Sequence, residues 1–495
     1  MTVIDHLHTL KAANGQKLTH GLSDDVLASF IDKDPNLTEA VNNAMEQYAF
    51  IKQHYPDIIP MDEADQVAFV QQSFVNFYAG DAVNPYVALA AKGPWVITLK
   101  GAVLHDNGGY GMLGAGHAPD YVLKTMAKPH VMANIMTGNI YQRRFTDLLK
   151  KEIGIHREQC PYSRFICMNS GSEAVTVASR ISDVNAKNLT GQKGEHYGKT
   201  IKIMALEGAF HGRTDRPAQY SDSSLKSYKK NLASFQGRNN LITVPINDVD
   251  ALIQAFDQAA QNNEFIESLF MEPVMGEGNP GVALTPEFYA KARELTEAHG
   301  SLLLIDSIQA GLRAQGCLSI CDYPGFEDLP APDMETYSKA MNAGHYPLSV
   351  LAMNEKAASL YVVGIYGNTM TANPKALDVA YEVIKHMTPE IKQNIRDMGQ
   401  LFLQKLNALK DKLDGEITAV QGTGLLFSCE LSDEFKAYGA GSIEEYMRYQ
   451  GVGVIHGGEN SLRFTPHFKI TEAEVDLIVD AVEQALLNGP KKVTE

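Results

Sequence analysis

The sequence predicts an α/β protein with a large, mainly parallel sheet and a smaller α+β domain. Three observations carry this. A chain of 495 residues with 44% hydrophobic content can bury a large core and divide it among more than one domain. Between residues 164 and 352 short apolar runs alternate with helical stretches, as in a sheet covered on both faces. After about residue 375 the rhythm changes to a long helical stretch, two strand-like runs and a final helix.

Residues 20 to about 80 read as helices. Ala40-Val-Asn-Asn-Ala-Met-Glu-Gln-Tyr-Ala-Phe-Ile and Val67-Ala-Phe-Val-Gln-Gln-Ser-Phe-Val place apolar residues at helical spacing, and Pro56 and Pro60 separate them. Trp95-Val-Ile-Thr-Leu and Ala102-Val-Leu-His form a short hairpin ending in Asn107-Gly-Gly-Tyr-Gly. The core strands are Arg164-Phe-Ile-Cys-Met, Ile201-Lys-Ile-Met-Ala-Leu, Leu241-Ile-Thr-Val, Leu269-Phe-Met, Leu302-Leu-Leu-Ile and Leu348-Ser-Val-Leu-Ala. One long helix is expected from Pro374 to Leu413, then strands at Gly424-Leu-Leu-Phe-Ser-Cys-Glu-Leu and Ser461-Leu-Arg-Phe-Thr-Pro, then an amphipathic helix from Glu472. The expected domains are 1–92, a helical extension with the start of the small domain; 93–374, the large domain; and 375–495, the C-terminal small α+β domain.

With 43 basic and 59 acidic residues the net charge is -16, which argues against nucleic acid or an anionic membrane as partner. The five cysteines form no regular framework, so free thiols in a reducing compartment are expected and no metal site. The N-terminus lacks a basic region followed by an apolar run, and no stretch approaches the roughly 20 apolar residues that span a bilayer. The expected location is cytoplasmic.

Three elements carry chemistry. Ser170-Gly-Ser-Glu173 opens a helix with capping-box spacing, and free N–H groups and the helix dipole there attract phosphate. Asp306 ends an apolar strand, the edge at which α/β sheets bind ligands. Lys339 lies in a mixed loop and offers a nucleophilic amine if partly desolvated. Together they suggest a pyridoxal 5'-phosphate (PLP) site: a lysine for the Schiff base, an acid for the pyridine nitrogen and a helix start for the phosphate. Taken singly, each also fits an ordinary capped helix, an acid at a turn, or a solvated lysine.

Further segments occur in a fixed order. They are Asn169-Ser-Gly-Ser-Glu-Ala, Glu207-Gly-Ala-Phe-His-Gly-Arg-Thr, Met271-Glu-Pro-Val-Met-Gly-Glu-Gly and Leu304-Ile-Asp-Ser-Ile-Gln-Ala-Gly. Ala331-Pro-Asp through Lys339 and Tyr366-Gly-Asn-Thr-Met-Thr-Ala-Asn-Pro follow. On these motifs residues 95 to 488 resemble a class III aminotransferase, a PLP enzyme of fold type I, of the ornithine, 4-aminobutyrate and ω-amino acid aminotransferase kind. The resemblance implies a seven-stranded type of sheet. It places the phosphate at Ser170, Gly171 and Ser172, the cofactor ring against Phe210 beside His211, and the pyridine nitrogen on Asp306. Ile308 and Gln309 fall near the ring and its phenolic oxygen, with Glu272 in the same site and Lys339 as the Schiff-base lysine. Asn368 and Thr369 would reach the phosphate of a neighbouring subunit, implying a homodimer or a dimer of dimers. Arg463 matches the arginine that grips a substrate carboxylate, Glu277 the acid that pairs with it otherwise, and Arg213 a contact to the far carboxylate.

The implied activity is PLP-dependent transfer of an amino group from an amine or ω-amino acid to a 2-oxo acid, 2-oxoglutarate first. Aminomutase or racemase chemistry in the same family, or PLP binding without catalysis, are the alternatives. The chain also departs from the family pattern. Ser307 replaces the usual Glu, Ala310 the usual Thr, and Met370-Thr-Ala an aromatic-Gly-Gly; Asn342-Ala343 stands where glycines are common, and the loop Cys317 to Pro330 is longer than usual. These departures fall in loops that shape a substrate cavity.

Overall fold

The computed structural model describes residues 2–492. Contacts divide the chain into two compact units. One comprises Met1–Leu123, Asp397–Gln421 and Leu425–Glu495; the other comprises Lys124–Arg396 and Gly422–Gly424.

The second unit is built on a seven-stranded sheet. Its spatial order is Arg164–Met168, Ser349–Met353, Met334–Tyr337, Leu302–Asp306, Glu264–Met271, Thr200–Leu206 and Leu241–Val244. Ser349–Met353 runs antiparallel to both neighbours and the remaining pairs are parallel. Six of the strands therefore point the same way, and their carboxyl ends share one edge. Leu302–Ile305 and Leu269–Met271 are fully buried, which explains their unbroken apolar runs. Helices Gly171–Thr190, Val249–Gln261 and Pro286–Ala298 pack on the sheet.

Two expectations change. Lys339 does not lie within a loop: Met334–Tyr337 is a buried strand, and Lys339 opens a 3₁₀ turn two residues after it. The expected helix from Pro374 to Leu413 is two helices, Pro374–Lys385 and Pro389–Leu413. Pro389 lacks an N–H and clashes with the preceding turn, so it ends one periodic run and opens another.

The first unit holds two four-stranded sheets. One orders Ala88–Lys92, Trp95–Thr98, Val103–Asp106 and Val452–Gly453; the other orders Ile417–Thr423, Leu426–Leu431, Ser461–Phe464 and Ile455–Gly457. The N-terminal helices are fastened to the first sheet by polar contacts as well as apolar ones. Trp95 is fully buried, packs edge-on to Phe30, and donates its indole N–H to Asp34 Oδ2 at 2.6 Å. Asp34 also caps helix Pro35–His54. Lys92 bonds Glu39 and Asp120 at 2.8 and 2.5 Å. Among the described residues no helix is long and apolar enough to cross a membrane.

A buried triad ties strand Val103–Asp106 to the last helix, Glu472–Asn488. Glu474 Oε1 lies 2.9 Å from His105 Nε2 and 2.8 Å from His467 Nε2, while Oε2 accepts from the N–H and hydroxyl of Thr471. Burial opposes ionisation of Glu474, but His467 and His105 outweigh it and hold the carboxyl well below its ordinary range. Replacing Glu474 by Ala should remove roughly 3 kcal/mol of stability, because the histidines and the helix cap lose their acceptor. A depressed carboxyl stabilises fully above its unfolded value of 4.5 and progressively less below it. In urea unfolding the wild type's advantage should therefore shrink as pH falls from 4.5; an advantage unchanged down to about pH 3 would remove the triad from the account.

Candidate active site

The carboxyl edge of the seven-stranded sheet gathers most of the expected residues around one cavity of about 180 Å³. Five of the six like-directed strands send their following loops there. Arg164–Met168 leads to Ser170, Gly171 and Ser172; Thr200–Leu206 to Phe210, His211 and Gly212; Glu264–Met271 to Glu272; Leu302–Asp306 to Asp306, Ile308 and Gln309; and Met334–Tyr337 to Ser338 and Lys339. Ligands collect at this edge in α/β sheets because strand direction brings the loops together.

Asp306 is the best-held group in the cavity wall. Its Oδ2 lies 2.8 Å from His211 Nδ1, the distance of an N–H donating to a carboxylate. Its Oδ1 accepts from the Thr336 hydroxyl at 3.1 Å and the Ile308 N–H at 3.2 Å. His211 is itself fixed by its N–H to Ser221 Oγ at 2.9 Å. Lys339 has φ of 51°, in the left-handed region that non-glycine residues seldom occupy, at a cost of about 1–3 kcal/mol. Strain held at a nucleophilic lysine is the kind that functional sites retain.

The start of helix Gly171–Thr190 lines the same cavity as Lys339. Ser170 caps it, Glu173 closes the capping box, and the first-turn N–H groups have no partner within the helix. Glycines keep this wall open: a Cβ on Gly171 would sit 2.7 Å from Ile308, and one on Gly212, whose φ is 113°, 2.3 Å from Ser172 Oγ. Among the described residues, buried His211 Nε2 and Gln309 Nε2 have no hydrogen-bond partner, and both residues line this cavity, so a polar ligand there would meet unsatisfied groups.

PLP fits this donor set. A helix start suits its phosphate, a fixed carboxylate its ring nitrogen, an aromatic face its ring, and a lysine its carbonyl carbon. Glu272 adds a second acid. Burial pushes its carboxyl up to about 7; His211 and the N–H groups of Phe210 and Gly276 offset that, and Asp306 adds to it.

The remaining expected residues stand elsewhere. Arg213 is exposed and holds its guanidinium 5.2 Å from the Phe210 ring centroid. Glu277 is half-buried and outside the residues lining the cavity. Asn368 donates to Glu173 Oε1 at 2.8 Å, beside the Tyr366 hydroxyl at 2.9 Å. It lines a second cavity, of about 640 Å³, with Phe145, Phe165 and Tyr361; Thr369 next to it is exposed. Arg463 belongs to the first unit, is buried in strand Ser461–Phe464, and lies 5.3 Å from the Tyr110 ring centroid. Gly212, Ser338 and Thr336 were not anticipated. The first two flank Phe210-His211 and Lys339 in sequence, but Thr336 becomes visible only through the strand pairing Asp306 opposite Thr336.

The sequence pattern of the family described as Aminotransferase class-III matches residues 77–486. The chain is 26% identical over 405 residues to an ornithine aminotransferase of an Exiguobacterium species, covering 81% of this chain and 93% of that one. It is 29% identical to the acetylornithine aminotransferase of Neisseria meningitidis serogroup B, covering 82% and 95%. The fold matches a crystal structure of the ornithine aminotransferase of Toxoplasma gondii with a TM-score of 0.73 at 23% identity, covering 88% of this chain and 98% of that one.

Glu272 makes a pH prediction for the protein without cofactor. Its folded value of about 7 exceeds the ordinary 4.5, so the folded state binds the extra proton and stability falls as pH rises between those values. The loss should reach roughly 3 kcal/mol and vanish in Glu272→Gln. Equal pH slopes for the two proteins in denaturant unfolding would refute the assignment.

Proposed function

The chain belongs to the class-III aminotransferases and is a PLP-dependent enzyme of that family, and from this premise we propose that it transfers an amino group from an amine or ω-amino acid to 2-oxoglutarate. The observation that carries the reading is the convergence of Lys339, Asp306, Gln309 and the Ser170–Ser172 helix start on one cavity. That relatives are ornithine and acetylornithine aminotransferases supports a donor whose amine sits at the end of a carbon chain.

When bound, PLP supplies an electron sink that acidifies the hydrogen on the amino-bearing carbon of the substrate. The chain's residues divide the remaining work. Lys339 would hold the group by its amine and, when its amine is free, would carry that hydrogen as a proton at Nζ, as base and then acid. Asp306, oriented by His211 and Thr336, keeps a proton on the ring nitrogen. Phe210, with Arg213 over its ring, would offer the cofactor ring an aromatic face. Ser170, Gly171 and Ser172 receive the phosphate, and Ile308, Gln309 and Glu272 shape the ring site. Arg463 is assigned the substrate carboxylate, since a buried guanidinium fork matches a planar acid.

A homodimer is part of the proposal. Val131, Met132, Ile135, Met136, Val362 and Val363 are exposed, apolar side chains that a second subunit would cover. Thr369 and Asn368 are assigned to the neighbouring subunit's phosphate. The five cysteines are free, which supports a reducing, cytoplasmic setting.

L-glutamate alone should convert the absorption band of the bound cofactor, and 2-oxoglutarate should restore it; a band that glutamate leaves untouched would sink the glutamate half-reaction. Lys339→Ala should lower turnover by roughly a thousandfold or more. Arg463→Ala should raise KM for glutamate about a hundredfold with a smaller change in kcat; an unchanged KM would remove Arg463 from the substrate site.

A further inference from the structure

A second carboxylate lies behind the segment that follows Asp306. Strands Leu302–Asp306 and Met334–Tyr337 pair with Ile305 opposite Glu335 and Asp306 opposite Thr336. Side chains alternate along a strand. Thr336 therefore reaches Asp306 on the cavity face, and Glu335 leaves on the other. There both Glu335 oxygens are filled. Oε1 accepts from Ser307 Oγ at 2.6 Å and the Ile320 N–H at 3.0 Å; Oε2 accepts from the Tyr162 hydroxyl at 2.7 Å and Ser319 Oγ at 2.5 Å. Glu335 is 0% exposed, and none of these four donors carries a charge. Burial pushes its carboxyl up, and the four bonds counter that.

A buried acid held by neutral donors alone is expensive to keep, so its position calls for a reason. Ser307 supplies one, because it stands where the family motif carries a glutamate. We propose that Glu335 replaces that carboxylate from the neighbouring strand and, through Ser307, Ser319 and Ile320, positions Ile308 and Gln309 against the cofactor. Ser307 is the hinge of this arrangement. It links Asp306 to Ile308, its N–H bonds Thr336 O at 3.0 Å, and its carbonyl accepts from the Gly311 N–H at 2.8 Å. Glu335 thus fastens both ends of the 307–320 segment, and Gln309 lies between them. It is a positioning residue: it faces away from the cavity and acts through the loop it holds. The inference rests on PLP occupying the Lys339 cavity, which uptake of PLP by the wild-type protein tests separately.

The test is PLP binding to the apoprotein, read by absorption, beside thermal unfolding. Ser307→Ala and Tyr162→Phe each remove one hydrogen bond to Glu335 and should lower Tm by similar amounts. Only Ser307→Ala acts on the cavity segment; it should weaken PLP binding about fivefold to tenfold, against less than about twofold for Tyr162→Phe. The pH midpoint of the bound cofactor's band should move in the first variant and stay in the second. Glu335→Ser should lose affinity, and the exchange Ser307→Glu with Glu335→Ser should regain it. Equal effects of Ser307→Ala and Tyr162→Phe on PLP affinity would overturn the proposal, as would an exchange variant that melts cooperatively yet binds PLP no better than Glu335→Ser.

Discussion

A carboxylate placed at the end of a buried strand has to be fully bonded, and Asp306 meets that demand in a way that organises the unit around it. Three donors reach it from three elements: His211 from the loop after Thr200–Leu206, Thr336 from the adjacent strand, and the Ile308 N–H from its own loop. Each bond fixes an element that also lines the cavity. Orientation of the acid, of the loop bearing Phe210 and of the strand leading to Lys339 is thus one packing solution. Loss of any donor would leave a buried charge short of partners, a penalty larger than the worth of a single exposed bond.

Much of this was legible in the sequence because the chemistry there needs residue types that stand out. Asn169-Ser-Gly-Ser-Glu announces a capped helix, and the capping box forms as its spacing implies. Leu302-Leu-Leu-Ile announces a buried strand, and Asp306 ends it. The strand before Lys339 was illegible for a physical reason. Met334-Glu-Thr-Tyr is half polar, and its neighbour Asp333 is an acid. Their burial makes sense only with partners distant in the chain: Arg293 and Asn354 for Asp333, Tyr162 and Ser319 for Glu335. Periodicity sees neither. The break at Pro389, by contrast, is a local signal, since a proline ends a helical run; the apolar stripe on both sides of it masks the break. The positions of Arg463 beside Tyr110 and Asn368 beside Glu173 follow from tertiary packing that no local motif encodes.

The buried acids of the chain fall into distinct physical situations. Glu474 is held charged by two imidazoles, whereas Glu335 meets only hydroxyls and an amide N–H and its carboxyl is pushed up by burial. Glu272 has two backbone N–H donors and is pushed towards neutrality. All three are nearly or wholly inaccessible, so the opposite directions of their shifts follow from partner type: imidazoles for Glu474, neutral donors for Glu335 and Glu272.

Trp95 is the sole tryptophan of the chain, and it sits where Phe30 and Asp34 meet the first sheet. Indole emission is sensitive to exactly the features that hold it there, a hydrogen bond to a carboxylate and an apolar enclosure. The protein thus carries a built-in optical reporter confined to one joint: its emission reads the seating of the N-terminal helices on their sheet. Removal of those helices would register as a red shift, whatever becomes of the seven-stranded sheet.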